Sequence, residues 1–216
     1  MAAIPTDVHT PRRVGVRRVL WWFGMLCLLG AAYFAGYVAW LLWGTGLETQ
    51  RAQDELRPAT AHWSKDPEPV PAFGTAPRVL PGDAYAVIVI PRIDLDMVVV
   101  QGTDYESLKE GPGHYVDTAD PWDNEGRVGI AGHRTTYLHP FFNLDKVEPG
   151  DTIDLLTRYG RYRYRVKANF VLPEATAGKV LEQTPDPTLV LTTCNPKYAS
   201  SQRLIVTANL VSAPSR

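Results

Sequence analysis

Cysteine is nearly absent from this chain: two occur in 216 residues, Cys27 and Cys194. Two cysteines make no disulfide framework, and these are not expected to pair, since Cys27 lies inside a long apolar segment. Neither charge sign is in excess: 22 Lys and Arg stand against 23 Asp and Glu, for a net charge of -1. That balance argues against nucleic acid or another polyanion as partner. No Cys-x-x-Cys or His-x-x-x-His spacing occurs, so no metal site is expected, and no cofactor. The loop spacing of an EF-hand is missing too, although Asp94, Asp96, Asp104 and Glu106 cluster in sequence. There are no repeats and no low-complexity tracts. A chain of this length suits one domain with attachments.

What is present begins with one long uncharged run. Residues 1–18 are polar and basic, with Arg12, Arg13, Arg17 and Arg18. Val19 to Trp43 then carry no charge over 25 residues. At about 1.5 Å per residue a helix of that length crosses roughly 30 Å of hydrocarbon. Trp21, Trp22, Trp40 and Trp43 mark both ends as an aromatic belt would. The run is expected to be a single-pass anchor at 19–43 in the plasma membrane. The basic segment 1–18 would stay in the cytoplasm, and the C-terminal bulk would lie outside. The competing reading is a cleaved signal peptide, whose apolar core normally runs about 7–15 residues.

Residues 47–57 look like a short polar helix. Six prolines from Pro58 to Pro81 then fall within 24 residues and block regular structure. Residues 44–83 thus read as a polar, Pro-rich linker that lifts a domain, 84–216, off the membrane. Trp63 and Phe73 could pack back onto that domain. Within the domain, short β-branched runs at 86–90, 97–100, 127–131, 151–157, 161–172 and on both sides of Cys194 read as strands. A helix is expected from Asp104, its N-cap, to Lys109, with weaker helical patches at 140–147 and 175–183. Some eight short strands with few helices predict a mainly β fold, a closed barrel or sandwich.

The stretch from Val190 to Val206 carries the chemistry. An apolar run ends on Cys194, eight residues form a loop, and Arg203 opens a second apolar run. If the two runs pair antiparallel, a soft nucleophile stands beside a permanent cation able to stabilise an oxyanion. With ordinary pKa values of about 8.5 for Cys and 6.5 for His, both groups would be mostly neutral at pH 7. The neighbouring guanidinium is expected to favour the thiolate. The missing acid or base is best supplied by His133, in Ala131-Gly132-His133-Arg134-Thr135-Thr136-Tyr137. His114 and His139 read as structural or exposed, and Asp120-Pro121-Trp122 as a turn. A salt bridge from Arg203 to Asp186 or Glu182 is the blander alternative for the arginine.

Leu191-Thr192-Thr193-Cys194, Arg203 nine residues on and Ala131-Gly132-His133 upstream together resemble the sortases, cysteine transpeptidases that anchor proteins to Gram-positive cell walls. Gly111-Pro112-Gly113-His114-Tyr115 and His133 to Tyr137 are most similar to the class E group of actinobacteria. The resemblance covers about residues 84–211. It departs at Val190, where the family often has Thr. It departs again at Leu138-His139, where class E usually shows Gly and a small residue. The resemblance implies an eight-stranded β-barrel with Cys194, His133 and Arg203 catalytic. It also implies cleavage between Thr and Gly of a C-terminal sorting signal, of Leu-Ala-Xaa-Thr-Gly or Leu-Pro-Xaa-Thr-Gly type. Secreted proteins bearing that signal would be one partner, and a peptidoglycan precursor amine the acceptor. Tyr115 would face the Ala or Pro of the signal, with Tyr137 as second candidate, and Thr193 would hold the substrate backbone. A class D-like or pilin-type sortase, a plain cysteine hydrolase, and a non-catalytic wall-assembly scaffold of the same fold are the alternatives.

Overall fold

The computed structural model describes residues 14–40, 44–72, 74–123 and 125–215. Arg12, Arg13, Trp43 and Phe73, used above, lie outside them. The chain divides after Leu41 into two compact units. The first contains helix α1, Val14–Ala39. It is apolar enough to cross a membrane from Gly15 to Ala39, with a mean hydropathy of 1.7 and none of that span buried by protein. The helix opens a turn before the uncharged run, taking in Arg17 and Arg18.

The second unit is a closed barrel. Its strands are β1 (Ala84–Ile90), β2 (Leu95–Gln101), β3 (Gly113–His114), β4 (Arg127–Ala131), β5 (Thr152–Thr157), β6 (Gly160–Pro173), β7 (Thr188–Asn195) and β8 (Gln202–Ser212). They close in the order β1-β2-β3-β4-β7-β8-β6-β5. Side chains alternate between faces along a strand. Ile88 and Ile90, Met97 and Val99, Val128 and Ile130, Ile153 and Leu155, Tyr162 and Tyr164, Leu189 and Leu191, and Leu204 and Val206 form one buried core. Two neighbours are parallel, β2 with β3 and β4 with β7. The others are antiparallel. The eighth strand, β3, is two residues long and left no periodic signal. Its Gly113 lies so close to β2 that a Cβ there would stand 2.0 Å from the Gly102 carbonyl oxygen.

Among the described residues three α-helices accompany the barrel: α2 (Thr45–Thr60), α3 (Tyr105–Glu110) and α4 (Glu174–Ala177). The carboxylate of Asp104 caps α3 by accepting from the backbone N–H of Glu106 and Ser107. The patch expected at 140–147 is turns and one turn of 3₁₀ helix at Leu144–Lys146.

Residues 44–83, expected as a linker, are attached to the barrel along much of their length. Helix α2 packs on β2 and α3, Trp63 is buried, and the N–H of Glu68 donates to the Arg158 carbonyl at 2.8 Å. Hydrophobic periodicity could not show this docking, because the buried face of α2 is polar: Thr45, Thr49, Gln53 and Thr60. Gln53 explains why. Strand β3 covers only the end of β2, which leaves backbone groups of β2 open. Gln53 Nε2 donates to the Val98 and Glu110 carbonyls, both at 2.9 Å, and Gln53 Oε1 accepts the Val98 N–H at 2.8 Å. Gly111 makes room for that amide, since a Cβ there would stand 2.6 Å from Nε2. Gln53→Leu strands buried backbone groups of Val98, each worth about 1–3 kcal/mol when unpaired. Denaturant unfolding of the variant should show a loss at least as large as that of one such group, and an unchanged midpoint would remove α2 from the stability of the barrel.

Candidate active site

Cys194 and Arg203 are direct cross-strand partners on β7 and β8. Because Leu189 and Leu191 point into the core, Thr192 and Cys194 point outward. Arg203, opposite Cys194, shares that outer face, while its neighbour Leu204 is core. The guanidinium is held in place by three acceptors. Nη1 donates to the Ser200 carbonyl at 2.7 Å and the Gln202 carbonyl at 3.0 Å, and Nη2 pairs with the Glu174 carboxylate. The ion pair read from sequence therefore exists, but with Glu174 of α4 instead of Asp186 or Glu182. Glu174 is more than half exposed, so the pair orients the guanidinium more than it stabilises the fold.

His133 arrives from β4. Ala131 pairs with Thr192 in the parallel β4–β7 ladder, and the Gly132 N–H donates to the Thr192 carbonyl at 3.1 Å. Two residues past Ala131, His133 lies at the end of the ladder where Cys194 lies on β7. A Cβ on Gly132 would stand 2.6 Å from the Phe141 ring, so only glycine lets the turn close here. The half-buried His133 ring has its pKa lowered by desolvation. Its Nε2 is buried and has no hydrogen-bond partner within the described residues, which leaves that nitrogen for a reacting group.

Arg134, missed by the sequence reading, locks this loop to β7 at Cys194. It is 5% exposed. Nη1 donates to the Cys194 carbonyl at 3.2 Å and to Asn195 Oδ1 at 2.6 Å, and Nη2 pairs with Asp145 at 3.0 Å. Its only sequence signal is its place next to His133. Beyond it, Tyr137, Leu138 and His139 all take left-handed backbone, with φ of 53°, 56° and 41°. Each such residue costs roughly 1–2 kcal/mol without glycine. Class E sequences usually carry Gly and a small residue at the last two positions, and this chain carries the conformation with bulky ones. Tyr137 tilts against the His133 ring, centroids 4.9 Å apart. Its hydroxyl bonds Tyr105 at 2.9 Å, which pushes its pKa up to about 12.

The three expected substrate contacts part company. Tyr115 crosses the outer face of β4, where a Cβ on Gly129 would stand 2.9 Å from its ring. Its hydroxyl bonds Thr192 Oγ1 at 3.0 Å, next to Cys194 on the same face. Tyr137 is beside His133. Thr193 faces the other way: it is 3% exposed and its hydroxyl donates to the Gly132 carbonyl at 2.7 Å. It ties β7 to the histidine loop, and Thr192, itself buried under the Tyr115 hydroxyl, shares the outer face with the thiol. His114 is a buried structural group, stacked on Tyr85 with Nδ1 on Gln101, and burial lowers its pKa to about 4. His139 is exposed, and Asp120 to Asp123 form a turn. No group of three or more His, Cys, Asp or Glu gathers among the described residues.

A closed β-barrel with a thiol, a guanidinium and an imidazole brought to one edge defines a cysteine acyl-transfer enzyme. The Sortase domain family profile matches residues 88–211, and the chain belongs to the sortase family of cysteine transpeptidases. It is 30% identical over 210 residues to Sortase SrtE2 of Streptomyces coelicolor, covering 87% of this chain and 80% of that one. It is 29% identical over 167 residues to Sortase D of Bacillus subtilis, covering 75% and 82%. Sortase E1 of Streptomyces coelicolor, solved with a tripeptide in the active site, aligns with a TM-score of 0.57 and 30% identity, over 62% of this chain and 92% of that one.

Proposed function

We propose that this sortase is anchored in the plasma membrane by α1, with the barrel outside the cell, and reads a sorting signal with Ala in second place. The Cys194 thiolate attacks the Thr carbonyl carbon of the signal. Arg203 stabilises the oxyanion, and protonated His133 gives its proton to the Gly amine as the C–N bond breaks. A thioester remains on Cys194. An amine of a peptidoglycan precursor then attacks it, His133 takes the amine's proton, and the S–C bond breaks. The cross-strand pairing of Cys194 with Arg203 carries this reading.

The preference for Ala rests on Tyr115. Proline has no backbone N–H, whereas alanine offers a donor. A phenol that shares one hydrogen bond with the Thr192 hydroxyl keeps a lone pair to accept that N–H, and its ring would crowd a pyrrolidine. The Leu-Ala-Xaa-Thr-Gly peptide is expected to be processed faster than Leu-Pro-Xaa-Thr-Gly by about tenfold in kcat/KM, the scale of one unmade buried hydrogen bond. Tyr115→Phe, which keeps the ring, should narrow the gap. Product analysis with and without an added amine separates transfer from hydrolysis. Equal kcat/KM for the two peptides, or a gap untouched by Tyr115→Phe, would remove the specificity argument. Cleavage of neither peptide would remove the function.

A further inference from the structure

Helix α2 lies outside the matched domain, and no step of the transfer uses it. Its first turn nevertheless meets the loop that carries His133. The backbone N–H of Tyr137 donates to Thr45 Oγ1 at 3.2 Å. The Leu138 side chain lies against Gly46, where a Cβ would stand 3.2 Å from Leu138 Cδ2. A second support comes through α3. Tyr105, its first residue, bonds the Tyr137 hydroxyl at 2.9 Å. Helix α3 is held to α2 in turn, through Thr49 Oγ1 on the Lys109 carbonyl at 2.7 Å and Gln53 on the Glu110 carbonyl. Tyr137 is thus fixed at its amide and at its hydroxyl, with the His133 ring tilted against it.

The loop needs such support. Three successive non-glycine residues in left-handed backbone persist only where surrounding structure over-determines them. Arg134 fixes the start of the loop and Phe141 its end, the Phe141 N–H donating to the His133 carbonyl at 3.1 Å. Between them, Tyr137 is held by α2 and α3, and Leu138 lies between Gly46 of α2 and the barrel core.

We propose that α2 is a brace for the general acid: Thr45 and, on α3, Tyr105 are positioning residues that set the His133 ring through Tyr137. The catalytic unit then begins at Thr45 and not at the barrel. The inference rests on His133 as the proton donor, and its test includes a reading that needs no substrate.

In the full-length protein, Thr45→Val should lower kcat for signal-peptide cleavage roughly tenfold, a modest loss for a displaced catalytic group. KM and the rate of Cys194 alkylation by iodoacetamide should stay within about twofold, as expected when the nucleophile and the binding face are untouched. Thr45→Ser restores the acceptor and should restore kcat. Tyr105→Phe removes the other support and should act in the same direction. Without substrate, carbethoxylation of His133 by diethyl pyrocarbonate, followed by mass spectrometry, should speed up about threefold or more in both variants as the loop opens more often. Unchanged kcat and unchanged carbethoxylation in both variants would overturn the brace. So would a loss of kcat that Ser does not rescue, or one that Cys194 alkylation follows in step. If the wild-type protein cleaves no peptide, the proposed function falls, and carbethoxylation alone decides the brace.

Discussion

Cys194→Ala should form no covalent adduct with a sorting-signal peptide, and turnover should fall by on the order of 10⁴-fold or more, the scale of removing the nucleophile from a concerted catalytic set. His133→Ala should be nearly as severe, because the leaving amine then departs without a proton donor. The fold should survive both changes. Cys194 is half-buried on the outer face of β7, away from the core that Leu189 and Leu191 enter. Intact-mass analysis of trapped enzyme, with an unfolding curve beside it, checks both points. An adduct on the Cys194→Ala protein would place the nucleophile elsewhere.

Arg203→Lys should lower kcat by about 10²-fold, the loss found when one oxyanion donor is removed. Lysine keeps the charge but not the planar fork. The guanidinium is aimed by two loop carbonyls and the Glu174 carboxylate at once, and a single ammonium on a flexible stem cannot keep that geometry. Because the change leaves Tyr115 and Thr192 in place, KM should move far less than kcat. A lysine variant with near wild-type kcat would show that Arg203 organises the β7–β8 loop and does not stabilise the oxyanion.

The parts of this protein visible in its sequence are those with a period or a cap. Short apolar runs placed seven of the eight strands, Asp104 marked the start of α3, and the Cys194–Arg203 spacing foretold the cross-strand pair. The misses have physical causes. Strand β3 is too short for any period. The buried face of α2 is made of Thr and Gln, which serve backbone groups and not a hydrophobic core. Thr193 was taken for a substrate contact because Leu189, Val190 and Leu191 are apolar on both faces. With both faces buried, a run of this kind hides which residues face the core. Arg134 has no sequence mark of burial, since its partners come from the far side of β7 and from Asp145.

The parallel seam between β4 and β7 also dictates when the enzyme becomes an enzyme. Its two sides are 61 residues apart where Thr193 meets Gly132, and parallel neighbours cannot be joined by a tight turn. The thiol and the guanidinium meet as soon as one local hairpin closes. The imidazole joins them only when the β4–β7 seam closes across that separation, and such distant pairings are slow to form. A nascent or partly unfolded chain therefore carries Cys194 without His133, the proposed proton donor, and on that proposal opening the seam would disarm the mature protein while the hairpin stays closed.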